Sequence, residues 1–307
     1  MNNQVPLPTD SELPDPAISV EHGSSKGLSV RVYSPERALR HPWILLKELF
    51  SDLWSGRELA WRLFVRDFKA QYSQTALGYV WVFLPPLFAS LTFVFLQSQG
   101  IFQVEGSGVP YVAFAMIGTM LWQSFVEAIQ SPIQAITAAK PMLAKINFSR
   151  ESILVAGLYM VIASAIIRLI LILGVLLVYG IAPGFNLFLF PLLSLGIITT
   201  GFAFGLALVP IGGLYSDVAR AIPIVGQFWM LLTPVVYPVR TTGWLGWIAQ
   251  WNPISPLISS ARACLTNQTP DQLGLAFVYM VLFMAIAIFG LLGFRLVMPH
   301  MIARMGS

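Results

Sequence analysis

LILILGVLLVYGIAPGFNLFLFPLLSLGIITTGFAFGLALVPIGGLYS, the stretch from Leu169 to Ser216, contains no charged residue. It is more than twice the roughly 20 residues a helix needs to cross the hydrocarbon core of a bilayer. In its middle, Tyr179-Gly-Ile-Ala-Pro-Gly184 carries the glycines and proline of a tight turn, so the stretch reads as two consecutive spanning helices. A second charge-free run extends from Gln71 to Val104. Over 307 residues the chain is 56% hydrophobic and 10% charged, with a mean hydropathy of +0.73, which excludes a soluble globular domain. The expected fold class is therefore an all-α integral membrane protein.

Six transmembrane spans are expected, at about residues 77–99, 110–133, 152–179, 185–214, 221–238 and 272–295. Pro85-Pro86 is expected to kink the first, and Pro223 the fifth. Arg57, Arg62, Arg66, Lys69, Lys140, Lys145, Arg150, Arg220, Arg295 and Arg304 fall on one side of these spans, and only Arg240 and Arg262 on the other. Because cytoplasmic flanks are rich in Lys and Arg, both termini and the Lys140–Arg150 loop are expected in the cytoplasm. The same argument accounts for the net charge of +4 without nucleic acid. Cys264 stands alone and His22, His41 and His300 are scattered, so neither an intrachain disulfide nor a Cys/His metal site is expected.

Residues 1–40 hold Pro6, Pro8, Pro14 and Pro16 among acidic and small polar residues, the composition of a disordered cytoplasmic tail without the apolar region of a secretory signal. Residues 41–75 read as amphipathic interface helices. One starts at Pro42 and ends near Gly56. On the next, Trp61, Phe64, Val65, Phe68 and Tyr72 share a narrow face, with Arg62, Arg66 and Lys69 on its flank. Such a helix lies in the membrane interface or packs on a protein core. Residues 76–307 form the spanning domain. Within it, residues 239–268 are apolar but interrupted by Gly243, Gly246, Pro253 and Pro256, and carry Trp244, Trp247 and Trp251. They read as a re-entrant helical pair on the outer side, or as an outer loop resting its tryptophans among the headgroups.

Glu127 and Arg168 are the ionisable residues in mid-span. With the second span ending near residue 133, Glu127 falls about 9 Å from its cytoplasmic end and Arg168 about 24 Å up the third, so they are not expected to pair. No G-x-x-x-x-G-K-[ST], H-E-x-x-H or G-x-S-x-G motif occurs, and no catalytic or metal-binding residues are expected. Any ATP used must be hydrolysed by another chain. The loop Lys140-Pro-Met-Leu-Ala-Lys-Ile-Asn-Phe-Ser-Arg-Glu151 presents Phe148 among charges, as a knob for a soluble partner or as a solvated turn.

Taken together, several blocks resemble the permeases of ABC type 2 exporters, specifically the polysaccharide and polyol-phosphate export family, from about residue 57 onward. They are Arg66-Asp-Phe-Lys-Ala-Gln-Tyr72 with Leu77-Gly-Tyr-Val-Trp81 and Leu84-Pro-Pro86; Lys145-Ile-Asn-Phe-Ser-Arg-Glu151; Tyr215-Ser-Asp-Val-Ala-Arg220; and Thr233-Pro-Val-Val-Tyr-Pro238 with Trp251-Asn-Pro253 and Arg262. The second block departs from the family's Lys-x-x-Phe-Pro-Arg in having Ser149 for the proline.

The resemblance implies a homodimer enclosing a channel, two cytoplasmic ABC ATPase subunits that bind ATP and Mg, and a lipid-linked polysaccharide substrate such as an O-antigen, capsule or teichoic acid precursor, as in lipopolysaccharide biosynthesis. It places the protein in the bacterial cytoplasmic (inner) membrane. It assigns ATPase coupling to Lys145, Ile146, Asn147, Phe148, Ser149, Arg150, Glu151, Asp217 and Arg220, and the interface helix to Arg62, Arg66, Asp67, Phe68, Lys69 and Tyr72. Aromatic faces on which sugar rings can stack make Phe83, Phe88, Phe93, Phe95, Trp122, Phe125, Trp229 and Tyr237 candidates to line the path. A drug or lipid exporter of the same type is the alternative, and a membrane-embedded lipid-linked sugar transferase a more distant one.

Overall fold

A computed structural model describes residues 42–73, 78–82, 84–99, 109–143, 150–238 and 243–305. The disordered tail expected over residues 1–40 lies outside them. The chain divides into Met1–Ile44, of which only the first turn of a helix is described, and Leu45–Ser307. Every described regular element is helical. They are α1 (Pro42–Ser55), α2 (Arg57–Ser73), a 3₁₀ turn (Gly78–Val82), α3 (Leu84–Ser98), α4 (Tyr111–Leu143), α5 (Glu151–Val178), a 3₁₀ turn (Phe185–Leu189), α6 (Phe190–Gly212), α7 (Ser216–Leu232), α8 (Gly243–Trp251), α9 (Ile254–Leu265) and α10 (Leu273–Met305).

Among the described residues, four segments are long and apolar enough to cross a membrane: Tyr111–Lys140, Glu151–Val178, Phe185–Gly212 and Leu273–Met298. They match the second, third, fourth and sixth expected spans. The first and fifth correspond to α3, of 15 residues, and α7, of 17, roughly 22 and 25 Å long. Pro85-Pro86 does not kink a long helix; both prolines sit in the first turn of α3, where a missing N–H leaves no hydrogen bond unmade. α7 runs through Pro223, and α4 extends ten residues past its expected end, to Leu143.

α4 and the Phe185–Gly212 segment form the centre, being 78% and 61% buried in their spanning windows against 28% for α5 and 17% for α10. In lipid there is little hydrophobic drive to join helices, so close backbone approach between small residues has to supply it. Gly201-Phe-Ala-Phe-Gly205 of α6 does this: a Cβ at Gly201 would lie 2.5 Å from the Phe125 carbonyl oxygen, and one at Gly205 would collide with that of Ile129.

Residue numbers rise together along this α4–α6 seam, so the two helices are parallel. α10 is parallel to α6 as well, because Gly196 meets Met280 and Gly290 meets Leu206. α5 is antiparallel to α4, since Gly157 meets Ser131 while Arg168 meets Ser124. The bundle thus has a Tyr111 end, where α4, α6 and α10 begin, and a Glu151 end, where α5 begins and α6 finishes.

Residues 233–238 and 243–266 gather at the Tyr111 end. Here α9 is buried over almost its whole length, with Ile254, Leu257, Ile258, Ala261, Cys264 and Leu265 fully enclosed, whereas Trp244, Trp247 and Trp251 of α8 stand exposed. The two expected helices exist, and protein surrounds only the second of them.

Candidate functional site

Three constellations follow from this packing. The first is a bolt at the Tyr111 end. Arg262, 5% exposed, donates from Nη2 to the Pro234 carbonyl at 2.7 Å and lies 3.7 Å from the centre of the Phe114 ring. Asn252 donates to the Thr233 hydroxyl at 2.7 Å, and the Tyr111 hydroxyl donates to the Val236 carbonyl at 3.0 Å. A side chain at Gly118 would strike the Val235 carbonyl oxygen. The motif residues Thr233–Pro238, Asn252 and Arg262 therefore hold one another together, which their separation in sequence hides. Buried polar groups hydrogen-bonded in this way cost about 1–3 kcal/mol each when a partner is removed.

The second constellation is ionic and lies at the Glu151 end. Arg295 of α10 reaches Asp52 at 2.9 Å and Glu48 at 3.5 Å on α1, and Glu151 at 4.0 Å on α5. The forked guanidinium suits several carboxylates at once. Beside it, the Ser152 hydroxyl donates to the Gly56 carbonyl at 3.2 Å, tying the α1–α2 corner to the start of α5. Glu151, expected as a contact for an ATPase, is 8% exposed and faces this cluster. Arg150 is half-buried, and Lys145, Ile146, Asn147, Phe148 and Ser149 lie outside the described residues. Asp217 and Arg220, an exposed pair 3.8 Å apart, open α7 at the same end.

α2 docks on α4 and α5 through Ala60 and Leu63 against Ala139, Ile153 and Ala156. Its aromatic face is offset from this contact: Trp61 is 56% exposed, and Phe64 stacks between Trp61, Phe68 and Tyr159. The helix thus has an inner seam on protein and an outward aromatic shoulder. Arg62, paired with Glu58 at 2.6 Å, Arg66, paired with Asp67 at 2.7 Å, and Lys69 are exposed; the Tyr72 side chain is not among those described.

The third constellation corrects the sequence reading most. Arg168 Nη2 lies 2.6 Å from Glu127 Oε2, and its Nη1 donates to the Ser124 hydroxyl at 3.1 Å. The pair forms because α4 continues to Leu143: Glu127 is then about 24 Å from that end of α4 and Arg168 about 25 Å from the start of α5. Their depths coincide. Gln123, Glu127, Gln130 and Gln134 recur at intervals of four, three and four and so fall on one stripe of α4, where Gln134 donates to Gln130 at 2.7 Å. A cavity of about 180 Å³ is lined by Gln71, Trp81, Pro85, Gln123, Glu127, Ser164 and Arg168. A groove of about 210 Å³ continues from Gln71 and Glu127 past Arg66, Asp67, Ser131 and Gln134 towards the Glu151 end.

The expected path-lining aromatics separate. Phe125, fully buried, Trp122 and Trp229 form an interior cluster with Phe204, at 5.2 Å for Phe125–Trp229 and 5.9 Å for Trp122–Trp229, so Trp122 and Phe125 pack inside the helix bundle. Tyr237 is half-buried and donates to the Leu231 carbonyl at 3.0 Å. Phe88 and Phe95 are 62% and 63% exposed; Phe83 and the Phe93 side chain lie outside the described residues.

Several apolar helices long enough to cross a bilayer, packed around a polar seam, define a multi-pass membrane protein. The ABC-2 type transporter family model matches residues 58–266, and the chain belongs to that family. It is 29% identical over 198 residues to an O-antigen export system permease protein RfbA of Myxococcus xanthus, covering 63% of this chain and 73% of the relative. Two proteins of the same name from Klebsiella pneumoniae are 22% identical over 241 residues, covering 75% of this chain and 90% of the relative, and 23% identical over 211 residues, covering 66% and 78%.

Proposed function

We propose that this chain is the membrane subunit of an ATP-driven exporter of lipid-linked polysaccharide in the bacterial inner membrane. The observation that carries the reading is the family match together with three relatives that bear one and the same O-antigen export name over about two thirds or more of their length. Two copies enclose the path, each crossing six times with α3 and α7 as the short spans. α8 and α9 dip in from the outer side, and both termini lie in the cytoplasm. Two ABC ATPase subunits bind ATP and Mg and dock at the Glu151 end, on the loop carrying Phe148, on Asp217–Arg220 and on α2.

The ionic cluster supports a coupling role for that end. A push on the loop before Glu151 reaches α1, α2 and α10 together, because Arg295 and Ser152 join them to the start of α5. Rigid-body motion of the ATPases is thereby converted into movement of one subunit against the other. Phe88, Phe95 and Trp229 remain candidates for the path. A drug or lipid exporter of the same family is the second reading; the polar seam on α4 speaks against it, since an apolar cargo gains nothing from amides.

Co-purification with the cytoplasmic ATPase, before and after Phe148→Ala and Arg150→Ala, tests the coupling assignment. Both variants should lose most of the bound ATPase or its transport activity. Retained binding together with unchanged export in both would defeat it.

A further inference from the structure

We propose that the cavity between α2, the Gly78–Val82 turn, α4 and α5 is a subsite for one neutral sugar ring of the exported chain, a proposal that rests on the export reading above. Its lining has a chemistry that selects among ligands. Glu127 and Arg168 are paired at 2.6 Å, so their charges cancel and none is left over to hold a phosphate or diphosphate. The remaining polar groups, the Gln71 and Gln123 amides and the Ser164 hydroxyl, are neutral and offer donors and acceptors alike. Hydroxyl groups need that mixture; an apolar ligand would leave those groups unpaired.

One further observation points to an occupant. Trp81, 52% exposed, sits on the other wall and offers an indole face for the C–H side of a pyranose ring. The volume, about 180 Å³, suits a single ring with its hydroxyls. The site lies some 24 Å along α4 and α5 from their termini at the Glu151 end. The groove running on past Ser131 and Gln134 supplies the next steps towards the Glu151 end.

The test uses the complex of this chain with its ATPase in lipid nanodiscs, and two probes: glycan released from the host's own surface and stripped of lipid, and sodium diphosphate. Binding is followed by saturation-transfer NMR. Trp81→Leu, Gln123→Leu and Gln71→Leu should each weaken glycan binding by about five- to tenfold, the worth of one stacking contact or buried hydrogen bond. Trp81→Phe, which keeps a ring, should stay within about threefold of the unaltered protein, and diphosphate should displace nothing. Absence of glycan binding to the unaltered complex, unchanged affinity in all three leucine variants, or displacement by diphosphate would overturn the subsite. Gln71 and Trp81 are exposed, so their variants remain informative even where Gln123→Leu fails to fold. Full surface glycan in a strain lacking this chain would sink the export reading itself; loss of that glycan combined with unaltered binding in the variants sinks the subsite alone.

Discussion

Replacing Arg168 by methionine keeps an unbranched apolar stem on α5 and removes the guanidinium. Glu127 then loses its partner at 2.6 Å and Ser124 its donor at 3.1 Å. Breaking a fully buried ion pair costs about 3–5 kcal/mol, and an exposed one at most about 1. The side chains are 11% exposed for Arg168 and 31% for Glu127, so the stranded carboxylate keeps some water. The loss for Arg168→Met should be about 2 kcal/mol. Glu127→Leu strands the more buried partner and should cost about 3 kcal/mol. The double variant carries no stranded charge, and should cost about 2 kcal/mol instead of the sum of the two. In detergent, thermal unfolding followed by size-exclusion fluorescence should show single-variant Tm losses of roughly 4–9 °C, with the double variant no worse than Glu127→Leu. Additive losses within about 0.5 kcal/mol would refute the pairing, because independent sites add and a pair does not.

Gly205→Leu forces α4 and α6 apart at the Ile129 carbonyl, and should abolish monodisperse protein on gel filtration, whereas Gly174→Leu, with open space around it, should not. Arg262→Met removes the hydrogen bond to Pro234 and the contact with Phe114 and should destabilise by about 2–4 kcal/mol; Arg262→Lys should restore only part, since an ammonium cannot reproduce the planar fork. Asn252→Ala should cost about 1–2 kcal/mol through loss of its bond to Thr233, read in the same unfolding assay. Arg295→Gln leaves Asp52, Glu48 and Glu151 without the cation they share, so limited proteolysis should cut at α1 several times faster.

The membrane class was legible from Leu169–Ser216 alone, because a charge-free run that long has only one favourable solvent. Spans three and four agree with α5 and the Phe185–Gly212 segment within a few residues for the same reason. Helix ends were less legible. Hydropathy fades before Gln134–Lys140, yet α4 continues because its alanine-rich sequence keeps good helix propensity and Ile136 and Ala139 remain buried. That difference of ten residues concealed the Glu127–Arg168 pair, although the four-three-four spacing of Gln123, Glu127, Gln130 and Gln134 was open to reading as one polar stripe. Composition also cannot say which aromatic faces inward: Phe125 and Phe88 look alike in sequence, and the approach of Gly201 and Phe204 shows that Phe125 packs on α6. The bolt of Arg262 on Pro234 joins residues 28 apart and depends on the turn at Thr233–Pro238, which no periodicity announces.

The most direct measurement is ATP-dependent movement of the carrier-linked glycan in inverted membrane vesicles, read as its protection from an added glycosidase. Vesicles holding this chain and the ATPase should protect the glycan only when ATP is supplied, and vesicles lacking either protein should not. Protection by this chain without ATP, or none with both proteins and ATP present, would contradict the account.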